Sequence, residues 1–561
     1  MSIFQSPEEE DYLNYSKYLS LVKKSLKKVS KIQDPAEKES QLEETISEAI
    51  ENVYNITEEG NHFEAGELLY SIGEVLEEME NIAYVHAIRV YDEAVSLWKD
   101  LIAQYKRQGK LHEISELYLR IADIYRIKYE NPELERKHIL KSIKFLKQET
   151  ELLEHLNEGR KLPQNYQNIA ELYYKLSKFE KAIEYYRKVI YFGKHNNFID
   201  ILPYSYRKVS ECYRKLDQVN KAKEVLFNAV DFFMSLYHQA NKKNDNAAVA
   251  QVCQILKNIF KSLKKKHSYI HYSKKEAGAY IRLAERIKEE GKERYKIARY
   301  YRGAALCYKD IKSNALDSAS CFVLAGNYSV KMEDFNQAVI NYYDAATLFQ
   351  RLENYELAYK HFMKAGDYYW KLKDYDDATN CYLNAYEAAI EGKIEFNKYG
   401  LFNQIIRGLH KIAGEGLKSK QFYKAASLIL ESIKFYEQLE SSKDFLLEEM
   451  IKNTYKYYYR AASLSKISYS HIVNSYIVAA LSLILIGKLD KAREILSEIS
   501  AESTTIAVYK QMINLIIERA KQGKEVSIDN FPFQIKRLIL NSIDIKYLIS
   551  LFSKIDSNGT K

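Results

Sequence analysis

The sequence predicts an all-α fold, a right-handed superhelical solenoid of about ten to twelve antiparallel helical hairpins, and three observations carry that prediction. The 561 residues include only six prolines, with none between Pro203 and Pro532, and sheet proteins with many turns seldom go so long without one. Glycine is scarce at 19 residues, and the dominant Leu, Ile, Glu, Lys, Ala and Tyr are typical of helix surfaces. A similar pattern also returns every 40 residues, as expected of a repeat architecture.

Two of the prolines mark helix starts. In Ser6-Pro7-Glu8-Glu9 and Asp34-Pro35-Ala36-Glu37, a capping side chain precedes a proline in the first turn, and a glutamate occupies the capping-box position. We therefore expect helices to begin at Pro7 and Pro35.

Small residues carry the 40-residue step. Two helices approach closely only where the side chain at the crossing is Ala, Gly or Ser, while a large neighbouring side chain fills the groove. One unit of the repeat is therefore a two-helix hairpin. The small positions that recur at this step are Ala298, Ala338 and Ala378, and Ala305, Ala345 and Ala385.

A second pattern resembles the tetratricopeptide repeat: a small residue, an aromatic residue three later, a small residue about twelve on, and a large residue four beyond that. Because a single hairpin cannot bury its own apolar side, the hairpins are expected to stack around a long inner groove. Copies occur at Ala170, Tyr173, Ala182 and Tyr186, at Ser210, Tyr213, Ala222 and Leu226, and at Ala480, Leu483, Ala492 and Leu496, with weaker copies at Ala413/Ala425 and Gly73/Ala87.

The composition predicts a cytoplasmic chain. The first ten residues are acidic where a secretory signal would be basic and then apolar. The longest apolar run, 476–486, is about half of the roughly 20 residues that cross a bilayer. The five cysteines are odd in number and widely spaced, which favours buried thiols in a reducing compartment. A net charge of +8 does not by itself favour nucleic acid.

Four segments are predicted from the repeat pattern and the charge runs. Residues 1–33 are a basic amphipathic N-terminal helix, and 34–240 are an N-terminal repeat array. The pattern fades in a basic connecting segment at 241–275 and resumes in a C-terminal array at 276–556.

The first of two basic segments, residues 12–33, contains six lysines and no acid. Leu19, Val22, Leu26 and Val29 lie at helical spacing on the side opposite the lysines. One interpretation is that this helix binds an anionic membrane or an acidic partner. The other is a first solenoid helix with a solvated outer face. The contacts predicted by the first interpretation are Lys23, Lys24, Lys27 and Lys28.

The second basic segment, residues 246–275, contains seven lysines and no acid. Lys264, Lys265 and Lys266 are predicted to contact a membrane or an acidic partner. Nucleic acid is an alternative partner, because Tyr269 and Tyr272 interleave with the basic residues as in binders of single-stranded RNA. A solvated surface is the third interpretation.

No pattern for enzyme chemistry or a cofactor is present. His267 and His271 stand four apart, but zinc enzymes need a third ligand, and neighbouring lysines would repel the cation. The sequence contains neither a Gly-x-x-x-x-Gly-Lys-Ser/Thr phosphate loop nor a Gly-x-Ser-x-Gly nucleophile elbow. We therefore expect neither an enzyme nor a bound cofactor.

Residues 277–555 resemble the soluble NSF attachment proteins, the alpha-SNAP family. The resemblance rests on residues 319–327, Ala-Ser-Cys-Phe-Val-Leu-Ala-Gly-Asn, on 337–346, and on the order of helices after Leu489. It implies binding of SNARE helix bundles, recruitment of an AAA+ ATPase, and contact with membranes. The chain departs from the family in the preceding repeats and at residues 554–561, which lack the acidic, leucine-bearing tail that stimulates the ATPase.

The leading hypothesis is an adaptor for membrane trafficking whose groove holds helical or extended protein segments. Lys175, Arg207, Arg214 and Lys215 are predicted to project into the groove and to favour acidic ligands. Glu171 and Glu211 occupy positions where carboxylate-clamp repeats carry Asn and Lys, which argues against a chaperone-tail receptor. The alternative is a repeat-containing regulator that binds nucleic acid through 246–275.

Overall fold

A computed structural model describes residues 7–32, 34–58, 62–78, 83–156, 158–291, 293, 295–439, 444–464, 469–498, 504–522, 524, 526–540 and 542–558. These residues form 25 α-helices and no β-strand. Consecutive helices pack against each other in pairs. The all-α hairpin fold is therefore confirmed.

The chain forms two compact units. Unit 1 comprises residues 1–235 and 259–264, and unit 2 comprises 236–258 and 265–561. The helices of unit 1 are α1 (Pro7–Val29), α2 (Pro35–Glu58), α3 (His62–Glu77), α4 (Ala83–Gln108), α5 (Leu111–Ile127), α6 (Pro132–His155), α7 (Leu162–Lys175), α8 (Phe179–His195) and α9 (Leu202–Lys215).

Two helices contribute residues to both units, α10 (Val219–Lys242) and α11 (Asn246–Ser262). Unit 2 continues with α12 (Lys266–Glu290), α13 (Tyr295–Lys309), α14 (Ala315–Lys331), α15 (Phe335–Arg351), α16 (Tyr355–Lys371), α17 (Tyr375–Glu391), α18 (Lys398–Lys418), α19 (Phe422–Tyr436), α20 (Asp444–Leu464), α21 (Tyr469–Leu485), α22 (Leu489–Ser497), α23 (Thr504–Lys521), α24 (Phe533–Leu540) and α25 (Ile543–Asn558). The segment predicted to connect two arrays, 241–275, thus contains α11 and the first part of α12.

Turns in the middle of unit 2 follow a 20-residue rule, one turn for each helix. Glu333, Glu353 and Lys373 each adopt a left-handed conformation, with φ of 58°, 58° and 63°. The next residue caps the following helix in each case; Asp374, for example, accepts a hydrogen bond from the backbone N–H of Asp377. Two such helix-and-turn segments make the 40-residue unit.

Small residues hold the paired helices together as the sequence predicts. Ala182 in unit 1 and Ala378 in unit 2 are fully buried. Gly366 packs against the ring of Tyr382, and a Cβ at that position would lie 2.5 Å from a ring carbon. No side chain larger than hydrogen fits there without moving the ring.

The two helix starts marked by proline are confirmed, since α1 begins at Pro7 and α2 begins at Pro35. The backbone N–H of Glu37 donates to Asp34 Oδ2 at 3.1 Å, which is the expected cap.

The expected apolar membrane-facing side of α1 is wrong. Val22, Leu26 and Val29 are buried in the core of unit 1, and Leu19 packs against that core. These side chains are therefore unavailable to lipid, because they supply the apolar contacts that fix α1 to the unit.

Candidate partner-binding faces

The first helices of three successive hairpins in unit 2 carry similar stripes of side chains. Residues at intervals of four, three and four lie on one side of a helix, and the 40-residue step relates the three stripes to one another. The stripes consist of Ser320, Leu324, Asn327 and Lys331 on α14, of Lys360, Lys364, Asp367 and Lys371 on α16, and of Gly400, Gln404, Arg407 and Lys411 on α18.

Contacts between helices bring these stripes together. Gln404 Nε2 on α18 donates to Asp367 Oδ1 on α16 at 3.4 Å. Tyr342 on α15 bridges the other two helices, because its hydroxyl donates to Asn327 Oδ1 at 2.7 Å and its ring centroid lies 5.2 Å from Lys364 Nζ. The three stripes form one surface, called here the first-helix face of unit 2.

The last position of two stripes is a lysine whose ammonium group lies over a ring of its own helix. Lys331 Nζ lies 4.8 Å from the ring centroid of Tyr328, and Lys371 Nζ lies 4.8 Å from that of Tyr368. The pairs are 40 residues apart and have the same geometry. The repeat therefore places a cation over an aromatic ring at the same point in successive hairpins.

Lysines at this position also contact the preceding hairpin. Lys371 Nζ lies 5.4 Å from the ring centroid of Phe335, and Lys411 Nζ lies 5.8 Å from that of Tyr375. Phe335 and Tyr375 are the first residues of α15 and α17. Each of these contacts joins neighbouring repeats through a cation–π interaction rather than an ion pair.

One further cation and one carboxylate complete the face. The guanidinium carbon of Arg407 lies 5.2 Å from the ring centroid of Trp370. Asp367 is the single acid in the three stripes, and its Oδ1 accepts hydrogen bonds from Tyr382 at 3.0 Å and from Gln404. This carboxylate is therefore engaged by neutral donors.

The basic residues of the first-helix face carry no ion pair. Among the residues that the structure describes, no carboxylate lies within the 4.0 Å ion-pair distance of any of them. All but the half-buried Lys364 are exposed. These residues, called here the cationic ladder, are Lys331, Lys360, Lys364, Lys371, Arg407 and Lys411.

Lys175, the first of the groove cations predicted in unit 1, is neutralised within the unit. Its Nζ lies 3.3 Å from Asp123 Oδ1 and 3.3 Å from Glu135 Oε1. Arg126 contacts the same two carboxylates, at 3.3 and 3.6 Å. Two cations thus share two acids, and this cluster has no net charge.

The other three predicted groove cations lie on α9. Arg207 Nε lies 3.8 Å from Glu211 Oε1, and Arg214 Nη2 donates to the carbonyl oxygen of Ser262 at 3.4 Å. Lys215 is exposed. The structure does not assemble these residues and Lys175 into a surface of unpaired charge, and their contact with a partner stays a prediction.

The lysines predicted to contact a membrane or an acidic partner are solvent-accessible. On α1 they project away from the buried apolar side, and the second group includes the turn after α11. The exposed residues are Lys23, Lys24, Lys27 and Lys28, and Lys264, Lys265 and Lys266.

Part of the basic segment 246–275 serves the interior of unit 2. Lys257 Nζ lies 2.7 Å from Glu276 Oε2, and the two side chains are 16% and 3% exposed. Tyr272, one of the two tyrosines considered for base stacking, is buried. Because a stacking platform needs an accessible ring face, this tyrosine does not provide one.

The buried thiols are poorly suited to nucleophilic chemistry. All five cysteines are buried and free. Burial raises the pKa of Cys212 and Cys321 to about 11 and that of Cys253 and Cys381 to about 12. Since the thiolate is the reactive form, these side chains act as small apolar residues in the core.

Searches of the described residues give two further findings. They contain no group of three or more His, Cys, Asp or Glu side chains placed to hold a metal ion. None of their helices combines the length and the apolar character needed to span a membrane.

Two protein-family models match the chain. Residues 264–408 match soluble NSF attachment protein, SNAP, and residues 164–191 match the tetratricopeptide repeat. The first match includes every residue of the cationic ladder except Lys411. The chain is thus a tetratricopeptide-repeat protein with a segment similar to soluble NSF attachment proteins. No curated protein matches the chain.

Solved repeat structures are also similar to the chain. The TPR2AB-domain:pHSP90 complex of yeast Sti1 has 17% identity, covers 53% of this chain and 98% of its own, and has a TM-score of 0.18. The P58(IPK) TPR domain has 12% identity, coverages of 64% and 99%, and a TM-score of 0.20. A circular tandem repeat protein has 11% identity, coverages of 91% and 96%, and a TM-score of 0.21. Likenesses this low say nothing about partners.

Proposed function

We propose that this chain is a non-enzymatic adaptor that holds an acidic protein segment, helical or extended, along the cationic ladder of unit 2. The observation that carries the proposal is the row of six basic side chains with no carboxylate within ion-pair distance among the described residues. Surfaces of one sign attract and orient partners of the opposite sign.

The aromatic rings beneath the ladder prepare it for this role. A ring holds an ammonium group in place but does not cancel its charge, whereas a carboxylate does both. Lys331 and Lys371 are exposed as well as ring-bound. A bound carboxylate would therefore meet cations that are already positioned, which lowers the entropy lost on binding.

The resemblance to soluble NSF attachment proteins supports a finer proposal for the partners. We infer that bundles of SNARE-like helices are the acidic ligand, that an AAA+ ATPase is a second protein partner, and that the setting is membrane trafficking in the cytoplasm. The exposed lysines of α1 and Lys264–Lys266 are proposed contacts with an acidic partner or an anionic membrane at the periphery of this assembly.

The proposal is tested with a fluorescein-labelled helical peptide rich in glutamate, titrated with the full-length chain and followed by fluorescence anisotropy. The variant Lys331→Glu, Lys371→Glu, Lys411→Glu should bind about 10- to 100-fold more weakly, because each exposed charge contact contributes about 0.5–1 kcal/mol. Affinity for the native chain should fall as salt is raised, and a peptide with glutamine in place of glutamate should not bind.

A matched control keeps the same change in net charge. Lys312, Lys393 and Lys420 are exposed lysines of unit 2 outside the ladder, and their replacement by glutamate should change affinity less than threefold. Equal losses in the two triple variants would show that net charge, and not the ladder, attracts the peptide. Native-like circular dichroism in both variants is the check on folding.

A further inference from the structure

The second helices of unit 1 carry another group of basic side chains, on the neighbouring helices α4 and α6. Residues 136–148 of α6 contain five lysine and arginine residues and no acid. Two lysines of α4, seven residues apart, lie beside them. This group, called here the lysine face, consists of Lys99, Lys106, Lys137, Lys141, Lys144 and Lys147.

Ring contacts place the lysine face on a continuous surface. Lys106 Nζ on α4 lies 5.8 Å from the ring centroid of Phe145 on α6. Lys147 Nζ on α6 lies 5.2 Å from the ring centroid of Tyr185 on α8. The second helices of three successive hairpins are therefore linked through these side chains.

The positive charge of this face is not neutralised within the unit. No ion pair joins any of the six lysines to a carboxylate in the part of the chain that the structure describes. Burial, together with the charges of Lys137, Lys106 and Lys99, lowers the pKa of Lys141. The lysines are thus close enough to repel one another, and an adjacent anion would relieve that repulsion.

An apolar side chain lies among these lysines. Leu140 is 38% exposed and lies one helical turn from Lys137 and from Lys144. It projects from the outer side of α6, because residues three and four apart share a side of a helix. A surface of lysines with an exposed leucine combines attraction to anions with a side chain that gains free energy in an apolar layer.

We propose that the lysine face is a docking site for an anionic phospholipid surface. The lysines would lie in the headgroup layer, and Leu140 would enter the boundary between headgroups and acyl chains. This docking site is separate from the cationic ladder, so it does not depend on the function proposed for unit 2.

Lipid fits this face better than single-stranded nucleic acid. Tyr118, Tyr173 and Tyr185, the rings beneath Lys141 and Lys147, are 7%, 4% and 8% exposed. Their faces are not accessible to bases, which nucleic-acid binders stack on exposed rings. The six lysines also lack the planar fork by which arginine grips single phosphates, and suit the diffuse charge of a membrane.

Co-sedimentation of the full-length chain with vesicles tests the proposal. The native chain should pellet with vesicles of phosphatidylcholine and phosphatidylserine and stay in solution with phosphatidylcholine alone. The variant Lys137→Glu, Lys141→Glu, Lys144→Glu should bind the anionic vesicles at least about 100-fold more weakly, since each lysine near such a surface contributes a factor of about five. Leu140→Gln should weaken binding by a smaller factor, about threefold.

Two control variants make the test specific. Arg207→Glu, Lys215→Glu, Lys223→Glu applies the same charge change elsewhere in unit 1 and should retain vesicle binding. Lys23→Glu, Lys24→Glu, Lys27→Glu, Lys28→Glu removes the exposed charge of α1 and should also retain it. Should the α6 triple variant lose its native circular dichroism, Lys106→Glu, Lys144→Glu, at two exposed positions, replaces it with an expected loss of at least about 25-fold.

Several results would overturn the proposal. These are equal pelleting with neutral and anionic vesicles, no pelleting of the native chain, full binding by the α6 triple variant, and loss of binding in the α1 variant alone. Release of the chain from vesicles by a short single-stranded RNA or by polyglutamate at lower concentration than by soluble phosphatidylserine would assign the face to nucleic acid or to an acidic protein.

Discussion

The first helices of both units carry basic residues, but these residues have different neighbours. In unit 1, Lys175 lies 3.3 Å from carboxylate oxygens of Asp123 and Glu135. In unit 2, Lys371 lies 4.8 Å from the ring centroid of Tyr368 and has no ion pair among the described residues. The same kind of side chain on the same kind of helix thus joins repeats in one unit and remains available to a partner in the other.

This difference shows that the position of a lysine within a repeat does not decide its role. A carboxylate within 4 Å cancels most of the field that a lysine presents to a distant ligand. An aromatic ring fixes the ammonium group and leaves its charge. The neighbours supplied by adjacent helices therefore separate a structural cation from a binding cation.

The largest expected effect concerns what the two units share, their small-residue packing. Ala182→Tyr in unit 1 and Ala378→Tyr in unit 2 should each reduce the free energy of unfolding by about 3 kcal/mol or more, since both positions are fully buried against a neighbouring helix. Urea unfolding followed by circular dichroism measures the loss. Gly414→Ala is the control, because no atom lies within 4 Å of the added Cβ, and it should stabilise by about 0.5–1 kcal/mol.

If only one of the two alanine variants is destabilised, the units do not share one packing scheme and the comparison between their surfaces loses its basis. Native midpoints in both variants would mean that the hairpin crossings lie elsewhere.

A somewhat smaller effect is expected from one buried histidine in each unit. Burial, with a contribution from nearby lysines, lowers the pKa of His138 in unit 1 and of His361 in unit 2 to about 4. The unfolded chain, with a histidine pKa near 6.5, binds more protons than the folded chain between pH 6.5 and 4. Each histidine therefore leaves stability unchanged above pH 7 and reduces it as the pH falls through this window, by about 2 kcal/mol.

Urea midpoints from pH 7 to pH 4 for the native chain, His138→Phe and His361→Phe measure this effect. Both histidines stack on aromatic rings, so phenylalanine keeps the packing and removes the titration. Each variant should show a shallower loss of stability in acid. A slope identical to that of the native chain would mean that the imidazole titrates alike in the folded and unfolded chain.

The sequence predicts the scaffold because the scaffold depends on local features. Helix starts follow from a cap and a proline within four residues, and the hairpin crossings follow from small residues at a fixed step. The same step also contains the signal for the ladder, since Lys331, Lys371 and Lys411 are 40 residues apart. The run 136–148, free of acids, likewise marks the lysine face. Neither signal was used to predict a site.

The neighbours of each charge are not readable from the sequence. Lys175 and Asp123 are 52 residues apart, and their contact depends on how α7 packs beside α5. Lys257 meets Glu276, which lies just outside the segment predicted to be purely basic. The apolar side of α1 has the pattern of a lipid-facing or a core-facing helix alike, and only packing against the rest of unit 1 decides between them.

The most direct test of the account neutralises the two first-helix faces in parallel. One full-length variant carries Lys331→Gln, Lys371→Gln, Lys411→Gln, and the other carries Lys175→Gln, Arg207→Gln, Lys215→Gln. Both lose the same charge, and anisotropy titrations with the glutamate-rich peptide measure their affinities. The account predicts a loss of about tenfold for the unit 2 variant and less than twofold for the unit 1 variant. Equal losses, or a larger loss for unit 1, would contradict it.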